Sequence, residues 1–336
     1  MNPVLLNVSV AGCRPFPALL HDDRVLALAW WSATELREIT SVEQLVKRWQ
    51  HVVPALRAVS ESPDTTALIA AHGAALGACR IHAPVVPRQV YCTIGNYRAQ
   101  VIQAAVDAED GPSGSRAAAR REAAAAMLDR RQRDGVPYIC VKPTSSVADP
   151  FAELVVSPVL PTLDWEVEIG VVIGRAAWKV EPERAFEHVA GYCVVNDITL
   201  RERVFRADPP LLGTDWIQSK GGPGWLPVGP WFVPAWSIED PGALCPWLRL
   251  NGTTMQQGCA SNMVFGIAEQ ISYLSRHTRL EPGDLLCTGS PAGFGSHHRR
   301  FLGAGDIVEA GVDGLGSQRI VCVGEGLHCN EFRVPT

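Results

Sequence analysis

The chain has no apolar run near the roughly 18–20 residues that a membrane helix requires. Its N-terminus, MNPVLLNVSVAGC, lacks the basic start and long apolar stretch of a secretory signal. Positive charge is not in excess, because 30 Lys and Arg face 35 Asp and Glu, a net −5 at pH 7. No global field therefore draws the chain to nucleic acid or to an anionic membrane. The 10 cysteines include no Cys-x-x-Cys and no zinc-type spacing. Most of them, including Cys140, Cys193, Cys287 and Cys322, fall in apolar runs and read as small hydrophobes in a reducing, cytoplasmic setting. The glycine pairs at 222/224, 303/305 and 314/316 do not make the G-x-G-x-x-G of a dinucleotide site. Ser290 is not the central residue of a G-x-S-x-G elbow, so a serine-hydrolase triad finds little support.

The chain does have apolar substance: 336 residues, 47% of them hydrophobic, suit one large domain or two unequal ones with a sizeable core. Residues 1–85 read as a small N-terminal α/β accessory domain, closed by the proline-bearing linker IHAPVVPRQ. Within it, apolar segments at 4–10 and 25–31 predict strands. A capped amphipathic helix is predicted from Ser41, and an Ala-rich helical run covers 65–78. Residues 86–336 form the main unit, which opens with an apolar strand at 90–97. Over 98–136 the composition changes, and Ser115 to Arg133 is an Ala- and Arg-rich helix stopped at Gly135. It has few large apolar residues, so it is either a solvated helix or a mobile lid or dimer contact. From 137 onward many short strands are punctuated by Gly and Pro, with helices at 183–189 and 261–275. This pattern predicts a β-rich α+β roll or barrel rather than a doubly wound sheet.

Residues 161–201 read as strand, helix, strand, with Glu166 and Glu168 on the first strand and Asp197 ending the second. Residues i and i+2 of a strand face the same side, about 6.6 Å apart. Two carboxylates on one face of an apolar run are costly to bury unless a cation pairs them. A hard divalent ion such as Mg²⁺ is the natural partner, and a solvent-facing edge strand is the alternative. Lys142, Arg201, Lys220 and the turn from Thr288 through Ser290 to Gly293 fall at strand ends or in Gly-rich turns. Together these residues suggest a metal site receiving an anionic, oxygen-rich ligand, with Lys220 or Arg201 gripping its carboxylate.

From about residue 88 to 323 the sequence resembles the fumarylacetoacetate hydrolase superfamily. The matching pieces are IGNYR (94–98), VKPTSSV (141–147), LDWEVEIGVVIGR (163–175), VAGYCVVNDITLRE (189–202), SKGGPGWLPVGPW (219–231), LRLNG (248–252) and LEPGDLLCTGSPAGFG (280–295). The resemblance implies a mixed β-roll and a homodimer. It implies Mg²⁺, with Mn²⁺ or Ca²⁺ as alternatives, held by Glu166, Glu168 and Asp197. Lys220 would be catalytic, and Tyr97, Arg98, Lys142, Arg201, Thr288 and Ser290 would face a small 2-oxo acid. The implied reaction is C–C hydrolysis of an acylpyruvate, while relatives catalyse decarboxylation, tautomerisation or hydration. Many members carry a His in a stretch like NYxxH, with Glu three residues on, where this chain has Gln100 and Gln103. An amide can orient a water but cannot take its proton near neutral pH. Either another group, with His297 and His298 as candidates, supplies the base, or the reaction needs none. The segment after Lys220 is GGPGW (221–225) in place of the family's usual FDT-type sequence.

Overall fold

The computed structural model describes residues 3–107, 115–208 and 210–326. The N-terminal part is an antiparallel sheet in the order Ala74–Ala75, Arg24–Ala27, Phe16–His21, Val4–Ser9, Arg80–His82. Phe16–His21 goes unseen in the sequence because Pro17 interrupts its strand character. The Ser41 hydroxyl accepts from the Gln44 amide and caps helix Val42–Lys47. The amphipathic run breaks at Arg48 and resumes as Trp49–Glu61, so the one helix expected there is two. The Ala-rich helix is shorter than predicted, spanning Asp64–His72.

A six-stranded sheet forms the centre, in the order Val233–Pro234, Val189–Asn196, Val167–Ile173, Leu285–Cys287, Val90–Ile94, Tyr138–Lys142. Its pairings are antiparallel except that Leu285–Cys287 runs parallel to Val90–Ile94. Every residue of Val167–Ile173 is buried, so this is an interior strand and the edge-strand alternative falls. Val167, Ile169, Val171 and Ile173 face one core. That core continues into a five-stranded sheet, Thr253–Gln257, Pro246–Leu250, Ile307–Val312, Gly316–Gly324, Leu154–Val156. Val172, Cys193, Val195 and Cys287 face the opposite core, which they share with Leu5, Leu45, Trp49 and Leu56 of the N-terminal part. At about 1.5–3 kcal/mol per buried aliphatic side chain, both faces hold this sheet firmly.

Trp49 closes the junction, packing edge-on to Phe232 at 5.2 Å and stacked on Trp236 at 5.6 Å. Gly174 makes room for it, since a Cβ there would sit 2.4 Å from the indole. The whole is the β-rich α+β fold expected, with a mixed sheet as its scaffold.

The segment expected as helix at 183–189 is a 3₁₀ stretch, Pro182–His188, and the one at 261–275 is helix Ile267–His277. Over 98–136 lie helices Arg98–Asp107 and Ser115–Asp134, while 108–114 fall outside the described residues. The second helix is less solvated than its composition suggests. Leu128 is fully buried against Val264 and Phe265, and the Arg131 guanidinium donates to the Gly95 carbonyl at 2.7 Å.

Cys92, Cys140, Cys193, Cys287 and Cys322 are buried thiols, as small hydrophobes should be. Cys245 and Cys259 are instead joined by a disulfide, which departs from a reading of the cysteines as scattered singly in a reducing setting. Among the described residues no helix is long and apolar enough to cross a membrane.

Candidate active site

Three carboxylates meet where the two long central strands begin and end. Glu166 lies one residue before strand Val167–Ile173 rather than on it, and Asp197 follows strand Val189–Asn196. The antiparallel pairing of Val167 with Asn196 brings these ends together, and the Asp197 amide donates to the Glu166 carbonyl at 2.8 Å. One oxygen from each of Glu166, Glu168 and Asp197 lies within 4.8 Å of the others, and all three residues are buried.

Cations surround them. Lys142 Nζ donates to Asp197 Oδ1 at 2.7 Å and to the Ile198 carbonyl at 3.0 Å. Lys220 Nζ donates to Asp197 Oδ2 at 2.5 Å and to Thr199 Oγ1 at 2.7 Å, and lies 3.6 Å from Glu166 Oε2. Arg201 spans Asp164 Oδ2 at 2.7 Å and Glu166 Oε1 at 2.6 Å, with its Cζ 4.2 Å from the centre of the Phe294 ring.

Burial acts against the charge on Asp197, but Lys142 and Lys220 outweigh it and hold the carboxyl well below its usual range. Burial acts against the charges on Lys220 and Arg201 too, and their carboxylate partners outweigh it, so both stay protonated.

Glu168 is different. Among the described residues no cation bonds it directly; burial first, then repulsion from Asp197 and Glu166, raises its pKa well above the usual range. Its Oε2 accepts from the Gly289 amide at 2.7 Å, whereas its Oε1 is buried without any partner. Gly289 can present that amide because it holds φ +93°, where a Cβ would also press to 2.8 Å from Asn96. An orphaned carboxylate oxygen beside two further carboxylates is a hard, all-oxygen donor set, and a divalent ion of the Mg²⁺ or Mn²⁺ type fits it. Such an ion must displace the proton of Glu168. Its apparent affinity is therefore expected to rise about tenfold per pH unit up to the folded pKa of Glu168 and then to level. Calorimetric titration in buffers of different ionisation heat counts the released proton; a pH-independent affinity would count against this account.

A 260 Å³ cavity opens on this cluster, lined on its polar side by Glu166, Arg201, Lys220, Gln100 and Ser290. Gln100 reaches it because helix Arg98–Asp107 starts directly after Tyr97. Ser290 and Thr288 spend their hydroxyls on the scaffold, donating to the Val167 and Ile169 carbonyls. Lys142 is wholly buried behind Asp197. Besides Lys142 and Thr288, the sequence candidates Tyr97, Arg98 and His297 do not line this cavity. Tyr97 is buried in the main core with its hydroxyl unpartnered, and Arg98 pairs with Asp129 at 2.6 Å on the surface. His297 Nδ1 lies 2.8 Å from Asp107 Oδ2. Gln103 accepts from the Gly293 amide at 2.9 Å, tying the helix to the turn.

Sequence reasoning passes over Asp164, which accepts from the Trp165 and Gly295 amides and anchors Arg201. Its position two residues before Glu166 was the available signal.

The model of the fumarylacetoacetate (FAA) hydrolase C-terminal family matches residues 89–322. Over 186 residues the chain is 40% identical to a 2,4-didehydro-3-deoxy-L-rhamnonate hydrolase of Sphingomonas sp. (strain SKA58). That match covers 54% of this chain and 64% of the relative, so the chain spans less than two thirds of the relative's length. A probable 2-hydroxyhepta-2,4-diene-1,7-dioate isomerase from Mycobacterium abscessus superposes with TM-score 0.69 at 26% identity, covering 97% of this chain and 99% of that one. The maleylpyruvate hydrolase of Sphingobium sp. SYK-6, solved with manganese(II) and pyruvate, shares the fold at TM-score 0.68 and 20% identity, covering 96% of this chain and 99% of that one. The chain belongs to the fumarylacetoacetate hydrolase family.

Proposed function

We propose that the chain is a divalent-metal hydrolase that cleaves a C–C bond of an acylpyruvate-like 2,4-dioxo acid. The observation that carries this reading is the unpartnered Glu168 oxygen within the Glu166, Glu168 and Asp197 cluster, beside a cavity bearing Lys220 and Arg201. The hydrolase and isomerase relatives support it. A divalent ion held by those three carboxylates, Mg²⁺ in the first instance, would supply Lewis-acid polarisation of a carbonyl and a lowered pKa for a water.

The chain's own groups do the rest. Arg201 has a buried Nη2 with no partner, a donor suited to the substrate carboxylate. Lys220 stays protonated, so it acts as positive charge beside the reacting carbonyl rather than as a base. Gln100 can orient a water without taking its proton. Water adds to the acyl carbonyl, and the bond to the pyruvyl methylene breaks with its electron pair left on that carbon. A proton returned there gives pyruvate beside a carboxylate. Run in H₂¹⁸O with Mg²⁺, the reaction is expected to place one ¹⁸O in the new carboxylate, read by mass spectrometry.

A second reading is a tautomerase, decarboxylase or hydratase of a 2-oxo acid on the same residues. Two observations favour it: the neutral Gln100 in the cavity wall, and His297 engaged by Asp107 away from that wall. Products without label in a new carboxylate would select this second reading, a hydratase placing the ¹⁸O in a hydroxyl instead.

A further inference from the structure

The charges in and behind the cavity wall are already spent on one another. Four carboxylates, Asp164, Glu166, Glu168 and Asp197, face three cations, Lys142, Arg201 and Lys220. A divalent ion in the carboxylate cluster leaves one positive charge in excess, enough for one carboxylate of a ligand.

The donors lead to the same number. Lys220 donates to Asp197 and Thr199 and lies 3.6 Å from a Glu166 oxygen. Arg201 is bonded through Nε and Nη1, and its Nη2 is buried and unpartnered. Among the described residues, that is the one cationic donor of the cavity wall left without a partner.

Among the described residues the charges lining the cavity are Glu166, Arg201 and Lys220; the rest of the wall is neutral, including Ile94, Val101, Ala104, Val204, Trp216 and the Gln100 amide. A second carboxylate placed there would lose its water without gaining a cation, a cost that such groups do not bear.

Resting on the oxo-acid reading of this site, we propose that the cavity selects 2-oxo acids with a single carboxylate and an uncharged remote end. The Gln100 amide, which has no hydrogen-bond partner among the described residues, is placed to meet one hydroxyl or carbonyl on that end. Dicarboxylates of the same length are excluded by charge and not by size.

The test uses the Mg²⁺-loaded full chain and two matched pairs. Binding is measured calorimetrically for 2-oxopentanoate and for 2-oxoglutarate, which differ only in the terminal carboxylate. The monocarboxylate is expected to bind at least about tenfold more tightly. Turnover is compared for butyrylpyruvate and succinylpyruvate, with kcat/KM expected to favour the former by about 100-fold. Ala104→Lys places a cation on the exposed side of the helix in the cavity wall and is expected to shrink or reverse both ratios. Equal or inverted ratios in the native chain overturn the proposal, as do ratios that Ala104→Lys leaves unchanged. If the binding ratio stands but neither acylpyruvate yields labelled product, charge selection holds and C–C hydrolysis fails. If both acylpyruvates are cleaved equally well, hydrolysis holds and charge selection fails.

Discussion

Glu168→Gln is expected to lower kcat/KM by at least about 10³-fold and to weaken divalent-metal binding, while leaving the metal-free protein as stable as before or more so. Metal ligation needs the ionised carboxylate. In the metal-free protein that ionised form is disfavoured, first by burial and then by Asp197 and Glu166, which raise the pKa of the side chain well above the usual range. Glutamine reproduces the shape of the protonated acid, and its carbonyl can keep the Gly289 amide bond. What the substitution removes is therefore only the charge the metal would use. Calorimetric metal titration and thermal unfolding with and without Mg²⁺ measure both halves. A variant whose metal-free form melts well below the native one would give Glu168 a structural role and remove this argument. Asp197→Asn makes the opposite comparison, because it strips the partner from two buried lysines and should destabilise with or without metal.

The site was legible in the sequence where its geometry is local. Glu166 and Glu168 are two residues apart, and the alternation of an extended chain aligns them whether or not Glu166 belongs to the hydrogen-bonded strand. The same rule extends to Asp164, so three acids on one face were available to read as easily as two. Asp197 and Lys142 come to the cluster through sheet pairing, and what marks them is their place at strand ends. His297 shows the limit of this logic. Its closeness in sequence to Ser290 suggests a catalytic neighbour, yet the short helix Gly295–His298 carries it to Asp107. The break at Arg48 left no mark either, nor did the Cys245–Cys259 disulfide, whose cysteines, 14 residues apart, are brought together by the pairing of Pro246–Leu250 with Thr253–Gln257. The strand Phe16–His21 was hidden for a local reason, a proline tolerated because it sits near the start of the strand, paired with Asn7 on one side and outside the register with Arg24–Ala27 on the other.

The second large effect is expected at Lys142, a fully buried ammonium that bonds Asp197 and the Ile198 carbonyl. Lys142→Met keeps the length and apolar stem but removes one of the two cations holding Asp197. Breaking a buried pair from one side typically costs about 3–5 kcal/mol, and a denaturant midpoint with an unchanged slope would report it. The pH dependence identifies the cause. In the native chain the folded pKa of Asp197 is depressed, so its contribution is fully present above its unfolded value of about 3.9 and is lost as pH falls through the folded pKa. With Lys142 gone the depression is smaller, the contribution shrinks, and acid unfolding is expected to begin at a higher pH. If Lys142 served only to fill space, methionine would fill it as well, and both the midpoint and the acid limb would stay where they are. A shift of the acid limb therefore assigns the loss to the charge on Asp197, the same charge that a divalent ion would share with Glu166 and Glu168.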